Sequence, residues 1–507
     1  MRHSSRLFLI TAILLVAFAI HATEAFWHGD FWEHSAAVVA VTTRTGPLAH
    51  PIFDLFAPHA FLSPYSLFIS AISTITGLTP IDALALSGIV NFLALCLGLT
   101  FWIASITKSS VALSTFYALL TILFLWGVNP WGYSGFFHYR VIADVLPYPS
   151  TLSLALTLIA LSANTLAIQQ NSLFLKLVVF VLFWIVLLTH PLTSIFFASG
   201  LIAQLWCFPK KQVLHQIFIN SALGLLVICV AMLWPYYSII ELISGAGDVY
   251  HPENKSMYLD VLSRIWPTLV ALPFAAWALK DRRGQSILLI ILMLTGVYIY
   301  GGISEKYSFG RVISIIMILM QILIAIGLAR LESSATARLP AFRLIIPTVL
   351  FGSLLYLSMP WLIATSTRAL TVANSIRLGR PISNQHSYKD LLFLEKQVSA
   401  NSVVLSDINT SWIVPSIRGK VVGALHPQAF VPDQKQRFDD VNTFFDAASN
   451  FEQQLAIAKK YRVSFLLLNK QRTPHYQTLL QDFTTEGRGQ VTHTSDKYIL
   501  IKLSLPD

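Results

Sequence analysis

Eleven apolar segments, each long enough to cross about 30 Å of hydrocarbon as a helix, set the terms for this chain: 7–26, 83–106, 111–128, 150–168, 174–190, 192–208, 213–235, 262–279, 286–302, 310–329 and 344–364. Backbone polar groups in lipid must find partners inside their own segment, so such a pattern folds as a polytopic α-helical membrane protein. Composition agrees, with 55% hydrophobic and 12% charged residues in 507 and a mean hydropathy of +0.64. The stretch 64–78, PYSLFISAISTITGL, is apolar but short of a full crossing, and reads as a juxtamembrane or re-entrant helix.

Charge fixes the orientation expected of these spans. The net charge of +10 could point to nucleic acid, but the basic residues lie in short loops. With eleven spans, Lys108, Lys176, Lys210, Lys211, Lys280, Arg282, Arg283, Arg330, Arg338 and Arg343 share one side with Arg2 and Arg6. Lys and Arg in short loops mark the cytoplasmic face. A nucleic-acid partner is therefore excluded, the amino terminus is expected in the cytoplasm, and 7–26 reads as an uncleaved signal anchor. Counting 64–78 as a further span would place the amino end opposite those loops. Cys96, Cys207 and Cys229 all fall within apolar runs, which gives neither a disulfide framework nor metal-ligand spacing.

Under this topology the polar loops 26–80, 129–149, 236–260 and 303–310 share the outer side with everything after residue 364. Two domains are expected: a transmembrane one, 1–364, whose outer loop 27–80 carries the chemistry, and a soluble extracytoplasmic α/β domain, 365–507. In the latter, 402–406, 420–425, 463–468 and 498–503 read as short buried strands alternating with helical patterns at 388–398, 438–447 and 451–461, hence a partly parallel sheet. It carries no phosphate loop, metal cluster or nucleophile triad, and reads as a support or acceptor-recognition module.

The densest chemistry follows the first span, in Gly29-Asp30-Phe31-Trp32-Glu33-His34. A helix from Asp30 puts residues 30, 33 and 34 on one face, two carboxylates and an imidazole together. Burial beside a second acid can raise a carboxyl into general-base range. Asp30 and Glu33 also have capping-box spacing, so a helix start is the competing reading. Downstream, Arg44, His50, Asp54 and His59 follow a Pro-studded path too irregular for a helix; Arg44 reads as solvated, and His59 as part of the site. In GFFHYRVIADVLPYPS, His138, Arg140 and Asp144 lie near a span, and Arg140 with Asp144 reads either as a helical i,i+4 pair or as substrate binding. His190, between two spans, reads as a satisfied interfacial residue. Glu305-Lys306-Tyr307-Ser308-Phe309-Gly310-Arg311 opens the tenth span, and the planar fork of Arg311 suits a phosphate or pyrophosphate, with lipid-interface snorkelling as the alternative.

Together these features resemble the GT-C superfamily of integral membrane glycosyltransferases, the group of lipid-linked aminoarabinose transferases and protein O-mannosyltransferases. The likeness covers nearly the whole chain: an acidic first outer loop with a juxtamembrane helix, many spans and an extracytoplasmic tail. It implies that Asp30 is the catalytic base and Glu33 the neighbouring acid, and that Tyr307 to Arg311 holds the lipid phosphate through Arg311. Asp144 is similar to an acid at the head of a middle span. His34, His59, Arg140 and Lys306 complete the substrate-binding set. The implied reaction moves a sugar from a polyprenyl-phosphate donor to a lipid, glycan or protein acceptor, with inversion, at the outer face of a bacterial inner membrane. No obligatory cofactor is implied, although Asp30, Glu33 and His34 could themselves bind a divalent metal. There is no Asp-x-Asp signature and no WWD-like motif, which argues against the oligosaccharyltransferase branch.

Two rivals stand beside this reading. A secondary transporter would show inverted repeats and broken helices at the midplane, whereas the charges here gather at one face. A lipid-linked polysaccharide polymerase or ligase would load a late outer loop with Arg and His, whereas this chain loads its first.

Overall fold

Apolar sequence becomes helix along most of the chain. The computed structural model describes residues 2–24, 27, 29–43, 49–127, 129–208, 210–246, 252–338, 352, 370, 374, 377 and 388–505. Its principal helices are α1 (Arg2–Glu24), α2 (Phe31–Thr42), α3 (Pro64–Thr76), α4 (Pro80–Ile106), α5 (Val111–Phe124), α6 (Pro149–Gln170), α7 (Leu173–Thr189), α8 (Pro191–Gln204), α9 (Lys210–Ala231), α10 (Arg282–Ile303) and α11 (Val312–Arg338). Among the described residues, 7 helices are long and apolar enough to cross a membrane, and Val111–Phe124, Leu173–Thr189 and Pro191–Cys207 are shorter apolar helices. Each falls on a segment expected to span. The remaining expected span, 344–364, lies outside the described residues apart from Gly352, as does the boundary at 364, so eleven spans are not established. The protein is an integral membrane protein with a mostly helical fold and a small carboxyl-terminal sheet.

The chain divides into two compact units. One comprises Met1–Glu24, Ala85–Trp234 and Gly247–Ser383; the other comprises Ala25–Leu84, Pro235–Ala246 and Asn384–Asp507. The loop that follows α1 thus groups with the carboxyl-terminal residues, not with the helical bundle.

In the bundle unit, polar groups are satisfied across helices, as a lipid environment demands. Glu332 on α11 is buried, paired with Arg6 on α1 at 3.0 Å and accepting the Tyr117 hydroxyl of α5 at 2.5 Å. A buried carboxylate without such partners would cost several kcal/mol, on the order of 3–5. Small residues allow close approach: a Cβ at Gly98 of α4 would sit 2.8 Å from the Ala155 carbonyl oxygen of α6. His190 caps α8, accepting the Thr193 N–H at Nδ1 (3.3 Å), which is the satisfied interfacial role expected of it.

The second unit holds a five-stranded sheet in the order β2-β1-β3-β5-β4. The strands are β1 (Val403–Leu405), β2 (Lys420–Val421), β3 (Val463–Asn469), β4 (Gly489–Thr494) and β5 (Tyr498–Leu503). The β2-β1-β3 half is parallel and the β3-β5-β4 half antiparallel. The β-branched and leucine runs anticipated four of these strands. β4 escaped notice because its alternation is mostly polar and exposed, GQVTHT at the sheet edge. At the opposite edge the Pro-rich loop joins the sheet: Phe53 bridges Val421 in parallel, and Val421 donates its N–H to the Ile52 oxygen at 2.9 Å. Buried Lys420 ties the loop down, its Nζ donating to the His50 and Pro51 oxygens at 2.7 and 3.1 Å.

α3 packs inside out. It buries Tyr65, Ser66, Ile69, Ser70 and Ser73 but exposes Phe68 and Ile75, at 53% and 84%. Serines inside and large apolar groups outside suit a helix in contact with lipid, in keeping with the juxtamembrane reading.

Candidate active site

α2 starts where the sequence places it. Gly29 has φ +67, a left-handed conformation open to glycine at little cost, and it delivers Asp30 to the head of the helix. From Phe31 to Val39 every residue is buried, Glu33 and His34 included. The side chain of Asp30 makes no capping hydrogen bond to the helix, so the capping-box reading does not hold. Instead its Oδ1 lies 3.2 Å from Nδ1 of His426, and Glu33 Oε1 lies 3.3 Å from the same nitrogen. One imidazole therefore bridges two carboxylates.

The two acids differ in access. The Asp30 side chain is 31% exposed, whereas that of Glu33 is 4% exposed. Glu33 Oε1 also accepts Nε1–H of Trp412 at 3.3 Å and Nε2–H of Gln428 at 3.1 Å. Burial raises the Glu33 carboxyl above its ordinary range, opposed by His426 and the Trp412 N–H. For His426, burial alone would lower the pKa, but the contacts with Asp30 and Glu33 outweigh it and raise it to about 10. His426 is then cationic at neutral pH, and it faces an Asp30 that solvent can reach.

Behind this trio runs a neutral chain. Phe61 donates its N–H to Nδ1 of His59 at 3.1 Å, so the neutral ring carries its proton on Nε2 and donates it to Oε1 of Gln428 at 2.9 Å. Gln428 in turn spends its amide on Glu33 and on the His426 oxygen, at 3.1 and 3.2 Å. Burial holds His59 at about 3 and His34 at about 4, so both are neutral. His34 stacks on Phe61, ring centroids 4.3 Å apart, and is a wall of the site. His50, also buried and held well below its ordinary value by burial, accepts the N–H groups of Ile52 and Phe53 at Nδ1 and orders the loop. Asp54 is exposed, and Arg44 lies outside the described residues.

The remaining sequence-predicted residues belong to the bundle unit. Arg311 donates through Nε to Asn254 Oδ1 (3.3 Å) and through a terminal nitrogen to Ser134 Oγ (3.1 Å), with its guanidinium 5.9 Å from the Tyr133 ring centre. No carboxylate among the described residues pairs with it. Lys306 precedes the 3-10 turn Tyr307–Arg311. The i,i+4 pair of Arg140 and Asp144 does not form, because the short helix Ile142–Val145 begins only after Arg140. Arg140 donates to the Tyr139 hydroxyl at 3.1 Å, and Asp144 Oδ1 lies 3.0 Å from Nε2 of His21. His138 is buried, its Nε2 3.0 Å from the Trp131 oxygen.

Sequence reasoning missed His426, Gln428 and Trp412, all from the carboxyl-terminal residues that read as a support or acceptor-recognition module. One signal existed: the loop 422–428 leaves the carboxyl end of the parallel strand β2, where open α/β sheets place ligands. The site could also hold a cation. Asp30, Glu33 and His426 offer ligand atoms within 4.8 Å of one another, two oxygens and a nitrogen, a donor set suited to a divalent transition metal. The cation-holding group is thus completed by His426, where the sequence put His34.

No protein-family model and no curated protein matches the chain. Among solved structures it is similar to ArnT from Cupriavidus metallidurans bound to undecaprenyl phosphate, with a TM-score of 0.53 at 11% identity over 97% of this chain and 98% of that one. It is also similar to the oligosaccharyltransferase AglB from Archaeoglobus fulgidus, in complex with an inhibitory peptide and a dolichol-phosphate, with a TM-score of 0.50 at 11% identity over 97% and 74%. Both are GT-C superfamily membrane glycosyltransferases, and at this identity the likeness is one of fold. The chain shares the fold of these two proteins.

Proposed function

We propose that the protein is a membrane glycosyltransferase that moves a sugar from a polyprenyl-phosphate donor to a lipid, glycan or protein acceptor at the extracytoplasmic face. The carrying observation is the pair of carboxylates at the head of α2, one accessible and one buried, bridged by His426. The fold supports the reading, since both neighbours were solved with a polyprenyl-type phosphate bound. The basic loops support the orientation.

In this reading Asp30 takes the proton of an acceptor hydroxyl as its oxygen bonds to the anomeric carbon. The anomeric carbon–oxygen bond to the phosphate breaks, polyprenyl phosphate leaves, and the anomeric centre inverts. Asp30 then releases its proton to water. Glu33 and His426 hold Asp30 in place, with the His426 imidazole against its carboxylate, and Arg311 grips the phosphate oxygens of the donor through its planar fork. Arg140, Asp144 and Lys306 are assigned to substrate binding. A divalent cation held by Asp30, Glu33 and a deprotonated His426 would take the place of the imidazolium charge and supply a positive charge for orienting the acceptor or the phosphate. The test is transfer from labelled polyprenyl-phosphate sugars to membrane acceptors by purified protein, with Asp30→Asn beside wild type. Undiminished transfer by the variant overturns the assignment.

A further inference from the structure

A cavity in the bundle unit, unrelated to the reaction proposed above, opens where α4, α6 and α8 end and α10 begins. Trp102, Leu161 and Ile290 give it an apolar floor, while Gln204 and Arg283 are among the polar residues that line it. All four helices are apolar, so the cavity sits at one end of membrane-spanning segments.

Two cations bear on it, and neither has a carboxylate partner among the described residues. Arg283 has no side-chain hydrogen bond or ion pair there; the nearest acid in sequence, Asp281, caps α10 by accepting the Arg283 backbone N–H at 3.4 Å. Lys176 of α7 is buried, 6% exposed. Its Nζ donates to Asn164, Gln216 and Asn220 oxygens at 2.8, 2.9 and 3.2 Å. Three acceptors match the three N–H groups of an ammonium, but amide oxygens satisfy its hydrogen bonds without balancing its charge. Asn164 connects this ammonium to the cavity wall, donating to Gln204 Oε1 at 2.7 Å.

A buried cation without a counter-charge in an apolar bundle calls for an anion nearby. A guanidinium beside an apolar floor selects an amphiphile whose head carries phosphate oxygens. We propose that this cavity binds the phosphate headgroup of an anionic membrane phospholipid, with Arg283 as the direct contact, the Lys176 ammonium as a field behind Gln204, and the first lipid carbons on Trp102 and Leu161.

Native mass spectrometry of the full-length protein tests this with phosphatidylglycerol and phosphatidylcholine of matched chains. Wild type retains phosphatidylglycerol about tenfold better, a difference of one charge-assisted contact. Arg283→Gln abolishes that preference and Arg283→Lys keeps part of it. Ser286→Phe, which fills the cavity but leaves Arg283 in place, also abolishes it and reads the site should Arg283→Gln fail to fold. Inorganic phosphate, titrated alone, binds at least tenfold more weakly than phosphatidylglycerol. Equal retention of the two lipids, a preference undisturbed by both Arg283→Gln and Ser286→Phe, or phosphate binding as tight as that of the lipid overturns the proposal.

Discussion

The acid cluster at the head of α2 and the arginine at the head of α11 meet charge in opposite ways. At Asp30 and Glu33, two carboxylates already have a cation, His426, in place. Among the described residues, Arg311 bonds to Ser134 and Asn254 and lies over Tyr133, all neutral. The first region has its cationic partner built in and is suited to hold a carboxylate in one geometry. The second presents a guanidinium without a carboxylate partner among the described residues, which fits the phosphate contact proposed for it.

The sharpest way to break this contrast is Asp30→Asn, which should lower transfer by about 10²–10⁴-fold, the usual worth of a positioned general base. Pre-steady-state transfer assays would report it, and a loss below threefold removes Asp30 from the chemistry. Next, Arg311→Ala should raise KM for the polyprenyl-phosphate donor by about thirtyfold, roughly 2 kcal/mol, with Arg311→Lys recovering part of it. An unchanged KM would mean that the guanidinium merely snorkels.

His426→Gln should destabilise the fold by about 2 kcal/mol, because Glu33 stays buried without its cation. The pH dependence follows from the sign of the shift: His426 is raised from 6.5 to about 10, so its contribution is fully present below 6.5 and is lost as pH rises through about 10. Thermal melts should show wild type falling toward the variant between those limits; parallel curves would refute the bridge. The smallest effect is expected of Gln428→Leu, about 1–2 kcal/mol of stability for a broken neutral chain, with transfer reduced less than in Asp30→Asn. A loss of activity equal to that of Asp30→Asn would show that the chain behind Glu33 does more than position it.

Much of this was legible because the signals were local. Apolar runs gave the helices, and the spacing of Asp30, Glu33 and His34 gave the head of α2. Where sequence reasoning went astray, non-local contacts decided. Capping-box spacing is a property of one helix end, yet His426 takes the Asp30 carboxylate that the spacing would assign to a cap. Arg140 and Asp144 sit four apart, but the helix between them starts late, so the pair, one of the two readings that spacing offered, does not form. His426 and Gln428 sit in a loop without a motif, and only the parallel sheet that ends there explains why they face α2.

The bridge from Pro51 to Phe53 onto the edge of β2 bears on how the protein is made. Glu33 and Gln428 are separated by 395 positions. At roughly 5–20 residues per second, synthesis brings His426 and Gln428 to the acids about 20–80 s after α2 emerges. Until then the loop that carries Asp30 lacks both its cation and the sheet edge that anchors it. A ribosome that stops early therefore releases a chain with an unassembled acid cluster, which is completed only by the last quarter of the polypeptide.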